Sequence, residues 1–124
     1  RFSWERGIEV LNLAGEMAHA LRYDDRPWAA ELGRRILMIA IEVRLEEIAV
    51  LIEGVDSEST RERLMVEREL YELDREMVDA GAAGDWSRVE ELRSRIDELD
   101  GIWRELIEIE ATEINDQSQP QDQR

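Results

Sequence analysis

The sequence predicts an all-α protein: a dimeric four-helix up-down bundle built around a long second helix that is apolar on two faces. Three observations lead there. Apolar residues recur at spacings of three and four along most of the 124-residue chain. Helix-start and helix-stop residues cut that pattern into four segments joined by short links. The segment from Pro27 to Glu53 carries two apolar stripes rather than one. Trp28, Leu32, Ile36, Ile39, Val43 and Val50 form the first, and Leu37, Ala40, Ile41, Ile48 and Leu51 form the second, roughly opposite. A helix with two apolar faces has to be covered from both sides, by its own chain, a second copy or a partner.

The first helix is expected over about 4–21, with Ser3 as N-cap and Val10, Leu13, Ala14, Met17 and Leu21 on one side. Arg22 to Arg26 is a short link. Asp25 followed by Pro27 is a start signal for the second helix, expected over 27–53 and ended by Gly54. Ser59 with Glu62 has capping-box spacing and opens the third helix, expected over 59–80. Its Val66, Leu70, Leu73, Met77 and Ala80 alternate at four and three. Gly81-Ala82-Ala83-Gly84 breaks the chain, and Asp85 caps a fourth helix over 86–114. There Val89, Leu92, Ile96, Leu99, Trp103 and Leu106 form a coiled-coil-like seam, so the last two helices are expected to pair as an antiparallel hairpin. Residues 1–114 thus read as one helical domain, and the polar tail 115–124 as disordered. Of the four Trp, Trp4, Trp28 and Trp86 sit near helix starts, where a large ring can close a bundle end; Trp103 lies on the seam and is expected in the core.

At 1.5 Å per residue the second and fourth helices each reach roughly 40 Å, and short links between long helices favour up-down topology. Surplus apolar surface on the second helix, with Ile102, Ile107, Ile109 and Ile114 on the fourth, predicts a homodimer packed through the second helix.

Composition narrows the function classes. The basic residues are sixteen Arg and no Lys, against thirty-one acids, for a net charge of −15. No clustered cations are present to displace phosphate counterions, so neither nucleic acid nor an anionic membrane is an expected partner. The acidity is concentrated after residue 54: net −3 before it and −12 after it. An acidic second half favours a basic protein partner. The absence of Cys excludes disulfides, thiolate metal sites and a Cys nucleophile. No secretory leader pattern is visible, and the longest apolar run, Ile36–Ile41, is far below the ~20 residues of a membrane span. A cytoplasmic location is expected. The sequence starts at Arg1 without Met, which leaves room for an upstream segment.

Candidate chemistry is confined to carboxylates. Glu16 and His19, the single His, have the Glu-x-x-His spacing used in helix-bundle di-metal sites, with Glu42 or Glu46 able to add ligands. On the wheel they lie opposite Val10, Ala14 and Leu21, which makes solvated side chains the plainer reading. Glu31, Glu42, Glu46 and Glu53 fall within about 60° of one another, with Arg35 among them. The like-charge pair Glu42–Glu46 requires something positive over it: an arginine, or in the sharper alternative Mg²⁺ held by carboxylates of adjacent helices.

The segments LNLAGEMAHAL and AAELGRRILMIAIEV, within residues 11–45, resemble the paired helices of the MazG-like all-α nucleoside triphosphate pyrophosphohydrolases. That family carries a Glu-Glu-x-x-Glu helix and then a Glu-x-x-Asp helix, whose acids hold the Mg²⁺ that binds the triphosphate. Glu16 matches the last Glu of the first motif and Glu31 the Glu of the second. Asn12 and Leu13 replace the first two acids, and Arg34 replaces the Asp. The resemblance therefore implies the fold and a tight dimer more than the activity.

The leading expectation is an acidic helical-bundle interaction protein, an adaptor, chaperone or regulator without cofactor, acting through self-association and a protein partner. The alternatives are a divergent Mg²⁺-dependent pyrophosphohydrolase using Glu16, Glu31, Glu42 and Glu46, and a carboxylate-bridged di-metal bundle using Glu16 and His19.

Overall fold

The computed structural model describes residues 4–118, which form four α-helices: α1 (Trp4–Arg22), α2 (Arg26–Gly54), α3 (Glu58–Ala82) and α4 (Trp86–Ser118). No strand occurs among the described residues, and none of their helices is long and apolar enough to cross a membrane.

The turns follow from local chemistry. Asp24 takes a left-handed backbone at φ 58, which Asp tolerates better than most residues, and frees Asp25 to cap α2 by accepting from the Trp28 N–H at 3.3 Å. Gly84 takes the left-handed turn before α4 at φ 73, and the Asp85 carboxylate accepts from the Arg88 N–H at 3.2 Å. At α3 the cap is Ser57, not Ser59: the Ser57 hydroxyl accepts from the Thr60 N–H at 3.3 Å. Ser59 is buried and hydrogen-bonds Glu113 of α4 instead. The expected N-cap of α1, Ser3, lies outside the described residues. At the other end α4 runs to Ser118, beyond the expected stop at Ile114, because no Gly or Pro interrupts it there. Residues 119–124 of the expected tail lie outside the described residues.

Helices pack in chain order. Arg6, early in α1, meets Glu46, late in α2, while Met17 lies against Gly33 at the other end of the pair. Ser59 and Thr60 at the start of α3 reach Glu113 and Glu110 near the end of α4, and Glu76 late in α3 pairs with Arg88 early in α4. Among the described residues α1 packs on α2, α2 on α3 and α3 on α4, and no other helix pair is in contact. The single chain therefore does not close the bundle: α1 and α4 do not meet.

The two-sided second helix explains the open arrangement. Arg44 of α2 pairs with Glu67 of α3, which assigns the neighbouring Ile41 and Ile48 to the α3 side. Glu46 pairs with Arg6 of α1, which assigns Val43 to the α1 side. Leu32 and Ile48 are fully buried, and Ile41 and Val43 nearly so. Each stripe of α2 thus has residues covered by its own chain, Leu32 and Val43 in one and Ile41 and Ile48 in the other, whereas Trp28, Leu37, Ala40, Val50 and Leu51 stay exposed. Because α1 and α3 sit on opposite sides of α2, they cannot meet each other. The accessible surface is 8814 Å², whereas a compact monomer of 14.5 kDa exposes roughly 6,900 Å².

On α4 the seam holds: Val89, Leu92 and Leu99 are buried, and Ile96, Trp103 and Leu106 half-buried. On α3 the 3-4 residues Val66, Leu70, Leu73 and Met77 are only half-buried, while the buried positions are Ser59, Leu64 and Glu67. The tryptophans near helix starts do not close bundle ends. Trp4 is 82% exposed and Trp86 66%, because no fourth side of a bundle covers them.

Candidate functional site

The four carboxylates singled out in the sequence are placed apart or already engaged. Glu46 receives a bidentate fork from Arg6, at 2.6 and 2.7 Å, and the Arg6 hydrogen bond holds its carboxyl below the usual range. The positive group required beside Glu42–Glu46 is therefore an arginine, supplied by α1. Glu31 is held by Arg34 at 2.8–3.1 Å, with Arg35 3.7 Å away, and its carboxyl is lowered by the Arg34 hydrogen bond. Arg35 also lies over the Trp28 ring, 5.2 Å from its centroid. Glu42 and Glu16 are exposed, and so is His19, whose ring lies 4.7 Å from that of Tyr23. Among the described residues no group of three or more acidic or His side chains is placed to hold a metal ion.

The charge cluster that organises the molecule is elsewhere, at Glu67. This residue of α3 is 8% exposed and accepts from three side chains on three helices. Arg44 Nη2 of α2 donates to its Oε1 at 3.2 Å, Trp103 Nε1 of α4 donates to its Oε2 at 3.2 Å, and Arg63, one turn earlier on α3, donates to Oε2. Arg63 also donates to Glu110 of α4 at 2.8 Å, and Thr60 donates to the same carboxylate. The Thr60 and Arg63 bonds together outweigh burial and hold the Glu110 carboxyl below its ordinary value. A carboxylate buried this far is stable only with such donors, and these tie α2, α3 and α4 into one unit.

Beside Glu67 the layer has a concave side. A cleft of about 500 Å³ lies between α2 and α3, lined by Leu37, Ala40 and Arg44 on one wall and Tyr71, Asp74 and Met77 on the other. A second cleft of about 280 Å³, between α3 and α4, shares Tyr71 and Asp74 and ends at Ile96, Asp100 and Trp103. Asp74 is thus the residue between the two. It is half-buried, no hydrogen bond or ion pair reaches it among the described residues, and burial alone raises its carboxyl above the ordinary value.

A different surface is apolar without charge. Trp4, Ile8 and Leu11 recur at four and three on α1, and form one stripe that is 82%, 42% and 72% exposed. With Gly7 and Val10 they border a shallow, largely apolar depression.

Comparison with family models, with curated proteins and with solved structures finds no match. The residues themselves carry the functional argument.

Proposed function

We propose that the protein is an acidic helical interaction protein, an adaptor, chaperone or regulator, that self-associates through its N-terminal helix pair and engages a basic protein partner. The observation that carries this reading is the uncovered stripe Trp4, Ile8 and Leu11 on α1. Large apolar side chains at helical spacing, left in water at one edge of an open layer, mark an association surface. Two copies meeting there would place four helices around one core, the arrangement that the single chain leaves incomplete. The engaged state of Glu31 and Glu46 supports the same reading, since arginines already occupy them.

Sedimentation of the wild-type chain and of Leu11→Glu tests it. The wild type is expected as a dimer and the variant as a folded monomer with unchanged helical content. A wild-type chain that stays monomeric at high micromolar concentration would overturn the reading. The pyrophosphohydrolase alternative, with Glu16, Glu31, Glu42 and Glu46 around Mg²⁺, is tested by titrating Mg²⁺ and Mn²⁺ with and without a nucleoside triphosphate. Stoichiometric binding that tightens with nucleotide would put it first. Metal analysis for iron and manganese addresses the Glu16–His19 alternative.

A further inference from the structure

We infer that the double cleft over α3 is a docking groove for an amphipathic helix of a basic partner protein, keyed by an arginine or lysine of that helix to Asp74. The inference deepens the proposed partner binding and uses a surface separate from the α1 stripe.

Shape gives the first part. The larger cleft runs from Leu37 to Glu47 on α2, ten residues that rise about 15 Å, so its occupant is a segment of roughly three helical turns. Its floor is the line along which α2 and α3 pack, and a helix laid on that line would rest against Leu37 and Ala40 on one side and Met77 and Val78 on the other. Apolar walls at both sides favour apolar residues at three- and four-residue spacing on the occupant.

Charge selects among occupants. The acids bordering the two clefts are Glu47 on α2, Glu67 and Asp74 on α3, and Asp100 on α4; Glu67 holds the bordering cation Arg44, and Asp100 is paired with Arg104 at 3.0 Å. Glu67 has its donors. Asp74 has none among the described residues, although it is half-buried between the two clefts. A carboxylate in that position gains most from a cation arriving with the ligand, because the site is already partly desolvated and the new pair excludes more water. A second copy of this chain is the poorer occupant. The exposed stripe such a copy offers, Trp4, Ile8 and Leu11, is apolar, and Arg6 beside it, the nearest Arg in sequence among the described residues, is engaged with Glu46.

The probe is a synthetic amphipathic helical peptide of four turns, with Leu at alternating spacings of three and four and a single Arg beside the apolar stripe. Its twin carries Gln in place of the Arg. The reporter is Trp103 fluorescence in a chain with Trp4, Trp28 and Trp86 replaced by Phe, together with the methyl resonances of Ala40 and Met77. The Arg peptide is expected to bind about tenfold more tightly than the Gln twin, the effect of one charge-assisted hydrogen bond. Asp74→Asn should erase that preference while leaving the Gln twin's affinity unchanged, and Ala40→Glu should weaken both peptides.

Equal binding of the two peptides, a preference that survives Asp74→Asn, or no change at Trp103, Ala40 and Met77 with either peptide would each overturn the inference. So would a concentration-dependent shift of the same signals without peptide, which would make a second copy the occupant. Leu11→Glu leaves the groove intact, so loss of self-association and loss of peptide binding are read separately.

Discussion

Replacing Glu67 by Gln tests whether one buried carboxylate holds three helices together. The substitution keeps the side-chain shape and one acceptor oxygen but removes the charge and turns an amide N–H₂ toward a donor. Arg63 keeps Glu110 at 2.8 Å, whereas Arg44 loses the carboxylate it pairs with. Breaking a fully buried pair costs about 3–5 kcal/mol. Here the Arg44 and Arg63 side chains are 35% and 20% exposed and can turn partly to water. The expected loss is therefore about 2 kcal/mol, in the range of hydrogen bonds to charged groups. For a domain of this size that lowers Tm by about 5–12 °C. Circular dichroism at 222 nm against temperature and urea reads the change, and a double-mutant cycle with Arg44→Met isolates the inter-helix part. The coupling between the two positions should be about 1 kcal/mol. A Glu67→Gln loss within about 0.5 kcal/mol, the scale of ordinary surface substitutions, would refute the argument that Glu67 is an organising group.

Three other outcomes are expected. Glu31, Glu46 and Glu110 all have carboxyls lowered in the fold, so their contribution is complete above the ordinary Glu value and is lost as pH falls through the lowered values; acid titration monitored by circular dichroism should show Arg6→Ala and Arg34→Ala unfolding at higher pH than wild type. Asp74, facing Glu67 and Tyr71 on its own helix, Arg44 and Glu47 on α2 and Asp100 on α4, has a raised carboxyl. Its charge therefore destabilises the fold once pH exceeds the ordinary Asp value, and Asp74→Asn should raise the melting midpoint at neutral pH but not in acid. Glycine replacements should split by sign: Gly84→Ala, at φ 73, loses about 1 kcal/mol, whereas Gly101→Ala, helical with open space around it, gains about 0.5–1 kcal/mol in the same melts.

Local features of the fold were legible in the sequence and pairwise choices were not. Asp25, Asp85 and Gly84 act within a few residues of themselves, so their caps and turn could be read directly. The α4 seam was legible because six positions keep one period over more than two heptads. Ser57 and Ser59 show the limit. Both fit a cap, and the choice rests on Glu113, fifty-four residues from Ser59 in sequence, which takes the hydroxyl that a capping box would use. Glu67 was missed because one Glu among thirty-one acids looks like solvent charge. A signal was present: it stands three residues after Leu64 and three before Leu70, and four after Arg63, on the packed side of α3. Each stripe of α2 supplies buried residues, Leu32 and Val43 from one and Ile41 and Ile48 from the other, but periodicity is silent on whether two covering helices come from one chain or two. The surplus apolar surface consequently falls more heavily on α1 than the sequence suggested. The carboxylates of Glu31 and Glu46 looked available only because their partners, Arg34 and Arg6, could not be placed without the backbone.

Packing in strict chain order has a kinetic consequence. Among the described residues every helix–helix contact joins neighbours in the chain, so no long loop has to close before a hairpin is rewarded, and the entropic barrier to folding is small. Such an arrangement behaves like a short row of coupled units, in which an end can fray while the interior stays formed. The α1 end is held by a single helix partner and an exposed ion pair, whereas α2, α3 and α4 share the Glu67 node. Amide exchange should therefore be fastest in α1 and slowest around Leu64 and Leu99, with opening that spreads inward from the N-terminal helix rather than through the whole chain at once.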